Sequence, residues 1–251
     1  MKNEKKSGEV ISDYFKNNRQ SFEEFYPSER TTIEFVMSNL TASEKTILDV
    51  GCACGGLYNA LKDTYNIKYT GIDIVSESIA IAKNIHPECN FICADISKTQ
   101  IQEKFDLVFS LSCIDWNLGE GVFENLFENL FSYVNDGGSL IISLRISCDD
   151  NLKNDDSFQY INFDGEKTGS KANYGILGMG DLVSLINKTK KISKIYANGF
   201  EGNPAINSVT QHKKLLFILL ALEKTTENNK IIKIIELPKK YANSFNEVTN
   251  C

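Results

Sequence analysis

The run Thr46-Ile-Leu-Asp-Val50 is short, apolar and stopped by the cluster Gly51-Cys-Ala-Cys-Gly-Gly56. No other stretch restricts the fold as strongly. An apolar run of this length bounded by glycine reads as a buried strand, and Leu57, Ala60 and Leu61 then recur at helical spacing. Glycines at 51 and 55 allow a tight turn and let a ligand touch the backbone. A strand that turns through glycine into a helix presents free amides and a positive dipole end, which suit an anionic or polar ligand.

The same alternation continues downstream. Ile67–Asp73 reads as a second strand, and Ser76 as the N-cap of a helix running to about Asn84. Asn90–Ala94 is a third strand ending at Asp95, and Phe105–Leu111 a fourth. A helix over about 120–134 carries Val122, Phe123, Leu126, Phe127, Leu130 and Phe131 on one stripe. Asp136-Gly-Gly138 reads as a turn before a fifth strand, Ser139–Ile146. Strands alternating with helices imply a parallel sheet with right-handed crossovers. Their unbroken apolar character implies that both faces are covered.

The flanks differ. Residues 1–45 read as a helical cap or lid with an aromatic-rich insert at Phe22–Arg30, and 46–224 as the main domain. Within that domain, 148–174 is rich in Asp, Asn, Ser and Gly and is expected to be a long loop or small insertion. A helix over about 180–188, a strand at Ile192–Ala197 and a final strand at Lys214–Leu222 follow, and 225–251 is an Asn- and Lys-rich tail.

At 251 residues, 42% hydrophobic and 24% charged, the chain has enough apolar content for one large core. Its net charge of −6 repels phosphate backbones, so no nucleic-acid partner is expected. Met1–Val10 lacks the apolar run of a secretion signal, and Leu215–Leu222 is too short to cross a bilayer, so no membrane association is expected. Seven cysteines without a CxxC pair point to a reduced, cytoplasmic protein with no structural metal.

Asp73 ends the second strand and Asp95 lies just beyond the third. Ligands of open α/β sheets bind beyond the strands' carboxyl ends, so both carboxylates can face one crevice. The first is placed to accept from two ribose hydroxyls, the second from an adenine amino group. Thr46–Ile146 resembles the core of class I S-adenosylmethionine-dependent methyltransferases: Asp49, Gly51 and Gly55 match the first motif, with Ala53 replacing its middle glycine. The resemblance implies a Rossmann-like, seven-stranded, mostly parallel α/β sheet with one antiparallel strand and helices on both faces. It implies S-adenosylmethionine as cofactor, with Gly51, Cys52 and the turn against the methionine part. Asp73 with Ile74 would meet the ribose, Asp95 with Ile96 the adenine, and Ser110 to Cys113 the sulfonium side.

The acceptor is expected to be a small molecule. Asp115, Trp116 and Asn117 follow the fourth strand, where acceptor meets methyl group, and Arg145 is a candidate for an anionic acceptor group. His86 reads as a surface residue. His212, in the loop before the final strand, and Asp115 are candidate bases, because an oxygen nucleophile must lose a proton. Tyr26 and Glu29 are candidates for a lid over the site. Phe25–Glu29, Tyr174 and Gly199–Pro204 are similar to segments of methyltransferases that accompany bacterial surface-polysaccharide synthesis, which implies O-methylation of a sugar or sugar nucleotide. Three alternatives stand beside this: an amine N-methyltransferase, an NAD(P)-dependent oxidoreductase and a catalytically silent cofactor-binding subunit.

Overall fold

The computed structural model describes residues 33–34, 37–38, 45–114, 122–147, 158–161, 167–172, 177–202, 208–209, 215–226 and 231–238. Strand β1 (Lys45–Val50) leads through the glycine turn into the short helix α1 (Gly56–Leu61). Then come β2 (Ile67–Asp73), α2 (Ser76–Ile85), β3 (Asn90–Cys93), β4 (Phe105–Ser110), α3 (Val122–Ser132) and β5 (Val134–Ser147). Farther on are β6 (Phe158–Ile161), β7 (Lys167–Ala172), β8 (Leu177–Gly178), α4 (Met179–Lys188), β9 (Ile192–Gly202), β10 (Ser208–Val209), β11 (Leu215–Lys224) and β12 (Ile231–Glu236).

The main sheet runs β12-β9-β11-β5-β4-β1-β2-β3. β1, β2, β3, β4 and β5 pair in parallel, while β11 is antiparallel to both β5 and β9. The expected seven strands are therefore present, with β11 the one reversed member. Two strands extend them: β12 pairs in parallel along the outer side of β9, and β8 pairs with Ile146 and Ser147 of β5. The polar stretch expected as a loop instead contains β6 and β7, which pair with β10 in a small three-stranded antiparallel sheet.

Both faces of the main sheet are covered. Leu140, Ile142 and Leu144 of β5 pack with Leu126, Phe127 and Leu130 of α3 and Leu182 and Ile186 of α4. The neighbouring residue Ile141, with Leu219 and Ala221 of β11, belongs to the opposite cluster, with Leu57 and Leu61 of α1, Ile79 and Ala82 of α2, and Ile33 and Met37. This alternation is the period of two that a strand imposes on its side chains.

Three local expectations are corrected. Val75, not Ser76, is the N-cap of α2; Ser76 lies inside the helix and its hydroxyl donates to Glu77 at 2.9 Å. The expected turn at 136–138 is a kink within β5, where pairing with β4 shifts register between Phe105 and Leu107. His86 is buried, only 2% exposed, and stands edge-on to Tyr58 with 4.9 Å between ring centroids. At the other end of the sheet the buried Lys224 Nζ donates to the carbonyls of Phe131 at 3.3 Å and Val134 at 2.8 Å. It thus satisfies the Phe131 carbonyl that the end of α3 leaves without a helical partner, and that of Val134 where β5 begins.

Candidate active site

The turn after β1 is held from below. The amides of Gly51 and Cys52 both donate to the Ile72 carbonyl of β2, at 2.8 and 3.2 Å, and Gly55 N–H donates to the Cys52 carbonyl at 2.9 Å. Gly51 and Gly55 have φ of +82° and +85°, and Ala53 is left-handed too, at +46°. The middle position of the turn therefore keeps a conformation that favours glycine while carrying a methyl group. A Cβ on Gly51 would lie 2.6 Å from both Cβ and Sγ of Cys113, in the segment after β4. Glycine at 51 thus serves packing of that segment against the turn. The helix that follows is short and has no side-chain cap.

Asp73, half-buried at the end of β2, ties the turn to the sheet edge. Its Oδ2 accepts from Ala53 N–H at 2.9 Å and its Oδ1 from Val75 N–H at 2.8 Å. Asp49 lies deeper: it is buried, and its Oδ2 accepts from the buried Tyr69 hydroxyl at 2.5 Å. Burial pushes the Asp49 carboxyl up to about 7; the Tyr69 hydrogen bond opposes this and the Asp73 charge adds to it. Cys52 is buried beside them, and burial together with the charges of Asp49 and Asp73 drives its thiol well above the usual range.

Asp95 turns onto its own loop. Oδ1 accepts from the Ser97 amide at 3.0 Å and its hydroxyl at 2.6 Å, and Oδ2 from Lys98 at 2.6 Å. Burial raises this carboxyl, but the Lys98 and Ser97 contacts outweigh it and hold it below the ordinary value. Ile96 is buried in the core, whereas Ile74 is half-buried at the end of β2. Ser110 closes β4 at 0% exposure, and among the described residues its Oγ has no hydrogen-bond partner. An orphaned hydroxyl costs about 1–3 kcal/mol, so its place at the carboxyl edge is notable. Ser112, at φ +50°, donates its amide to Ser143 Oγ of β5 at 2.6 Å.

The structure thus brings Asp49, Gly51, Cys52, Ala53, Gly55, Asp73, Asp95 and Ser110 to one edge of the sheet. Arg145 is half-buried farther along β5, opposite Phe217 of β11. Tyr26, Glu29, Asp115, Trp116, Asn117, Tyr174 and His212 lie outside the described residues. Sequence reasoning missed Tyr69 and Ser143, which act through partners brought in by strand register and carry no local signal. Cys113 was expected only as lining of the sulfonium side, and its packing on Gly51 had no signal at all.

Residues 47–138 match the family model described as methyltransferase domain, the stretch that holds the turn, Asp73, Asp95 and Ser110. The fold is that of the class I S-adenosylmethionine-dependent methyltransferases. A SAM-dependent methyltransferase from Methanosarcina mazei superposes with a TM-score of 0.60 at 18% identity, covering 81% of this chain and 100% of that one. N-methyltransferase NodS from Bradyrhizobium japonicum, solved with S-adenosyl-L-homocysteine, superposes at 0.56 and 15% identity, covering 88% and 100%. In sequence, the chain is 29% identical over 131 residues to malonyl-[acyl-carrier protein] O-methyltransferase from Acetivibrio thermocellus, covering 49% of this chain and 46% of that methyltransferase. The chain spans about half or less of the length of the curated relatives it matches. Among the described residues no helix is long and apolar enough to cross a membrane.

Proposed function

We propose that this protein transfers a methyl group from S-adenosylmethionine to a small-molecule acceptor. The observation that carries this reading is the Asp73 carboxylate, fixed by the amides of Ala53 and Val75 between the glycine turn and the end of β2. A carboxylate pinned there is an acceptor for ribose hydroxyls and needs no reorganisation when they arrive. The cofactor supplies a methyl group on a cationic sulfur that departs as a neutral thioether. Gly51, Cys52, Ala53 and Gly55 would form the wall against its methionine part. The orphaned Ser110 hydroxyl offers a polar contact at the methyl-transfer end. Asp95 would meet the adenine amino group by releasing Lys98, whose side chain is 75% exposed and leaves at little cost.

The protein's remaining task is alignment of the acceptor and exclusion of water. The finer reading is O-methylation of a sugar or sugar nucleotide in surface-polysaccharide synthesis, with His212 or Asp115 taking the hydroxyl proton, Trp116, Asn117 and Arg145 meeting the acceptor, and Tyr26 and Glu29 closing over it. An amine acceptor would need no such base.

Thermal shift with S-adenosylhomocysteine, NAD and NADP tests the cofactor. Saturation at a hundredfold excess over Kd stabilises by about 2.7 kcal/mol, so S-adenosylhomocysteine alone should raise the midpoint. Asp73→Ala should weaken its binding about tenfold to a hundredfold, the worth of lost hydrogen bonds to a charged group. A shift with a dinucleotide alone overturns the reading in favour of an oxidoreductase.

A further inference from the structure

The sheet does not end level. β4 stops at Ser110, opposite Ile142, but β5 continues to Ser147 with β11 and β9 still paired alongside it. Five further residues of strand, about 16 Å, stand beyond the end of β4. The foot of this wall is tied to the segment after β4, because Ser143 Oγ accepts the Ser112 amide. One row farther out, Arg145 of β5 faces Phe217 of β11, and Phe217 faces Phe200 of β9. In-register residues share a face, so Arg145, Phe217 and Phe200 form one row across three strands.

The aromatic members are stacked, with ring centroids 5.3 Å apart and planes 12° from parallel. Phe200 remains 41% exposed; among the described residues it and Ile85, at the far end of α2, are the exposed large apolar side chains. The tip row keeps the stack open: a Cβ on Gly202 would lie 2.8 Å from the Phe217 ring. A half-open ring stack one to two strand spacings, about 5–10 Å, from the Arg145 position matches a ligand that is flat at one end and anionic at the other.

We infer that Arg145, Phe217 and Phe200 form the acceptor subsite, and that it takes a flat aromatic ring bearing a phosphate or carboxylate. The inference rests on the methyltransferase reading above and adds the acceptor's chemical class to it. The ring lies on the Phe200–Phe217 stack, the anionic group meets Arg145, and the acceptor is held one row beyond the residue that anchors the segment after β4.

Calorimetry on the full chain saturated with S-adenosylhomocysteine tests this, because the cofactor crevice is then filled. Uridine diphosphate and 4-hydroxybenzoate represent the two sources of this chemistry; uridine, phenol and pyrophosphate each lack one half of it. At least one of the two anionic aromatics should bind about tenfold more tightly than its counterparts lacking ring or charge. Phe200→Ser and Arg145→Gln should each weaken that binding about tenfold, with S-adenosylhomocysteine affinity unchanged. Uridine diphosphate alone as the winner identifies a nucleotide-bearing acceptor, and 4-hydroxybenzoate alone an aromatic acid. Failure of both probes, or binding that survives both substitutions, overturns the subsite. Failure to bind S-adenosylhomocysteine would instead overturn the cofactor reading.

Discussion

The two halves of the sheet are joined at β4 but held in different ways. In the β1–β2–β3 half, side chains bond to backbone: Asp73 takes the amides of Ala53 and Val75, and the turn's amides take the Ile72 carbonyl. The conformation there is fixed atom by atom, with left-handed residues at 51, 53 and 55. In the β5–β11–β9 half, the described geometry comes from cross-strand rows such as Ser143–Leu219–Asn198 and Arg145–Phe217–Phe200. One half is specified by backbone conformation and tolerates few side chains; the other is a regular lattice whose exposed sites accept many. A cofactor common to a large family suits the first, and an acceptor that differs between enzymes suits the second.

Substitutions can break this contrast. Gly51→Ala should have the largest effect. A left-handed alanine costs about 1–2 kcal/mol, and its Cβ meets Cys113 at 2.6 Å, a clash of the kind worth about 1–3 kcal/mol more. Urea unfolding should show the sum, and wild-type stability would mean that the segment after β4 yields freely.

Asp49 comes next. Its carboxyl is raised to about 7 in the folded protein from 3.8, so the folded state holds a proton that the unfolded chain releases. Its contribution is fully present below about pH 4 and lost as pH rises through 7. Unfolding free energy should therefore fall between pH 5 and 8 by about 1–3 kcal/mol, and Asp49→Asn should flatten that slope. A slope unchanged in the variant would assign it to other groups.

Lys224→Met leaves the Phe131 and Val134 carbonyls without their ammonium donor and should cost about 1–2 kcal/mol, again by urea unfolding. Cofactor affinity should not move, since this contact is at the end of α3. Smallest of all, Phe200→Ser should change stability by no more than about 0.5 kcal/mol, as befits an exposed site. A larger loss would show that the wall depends on the aromatic stack.

The sequence carried the first half of the sheet almost completely, because its rules are local: an apolar run, glycines where φ is positive, acids at strand ends. Even there, residues that act through distant neighbours were invisible. Tyr69 reads as one more strand residue until register sets it beside Asp49. His86 precedes a proline and reads as a surface turn, yet the packing of Tyr58 buries it. In the second half β11 was legible as a strand, whereas the row Arg145–Phe217–Phe200 depends on pairings between residues 72 and 17 positions apart that no local pattern encodes. The strands β6 and β7 escaped for a related reason: Phe158–Ile161 is too short and Lys167–Ala172 too polar to announce itself.

The placement of β11 between β5 and β9 also sets a timetable. During synthesis β1 to β5 can assemble as soon as they emerge, each beside a strand already made. β9 then appears before either of its neighbours, since among the described residues it pairs in the main sheet with β11 and β12 alone. Until residue 224 has left the ribosome, the apolar margin of β5 stays an open edge, able to recruit any extended chain nearby. The last long strand is thus the piece that closes the molecule against its neighbours in a crowded cell.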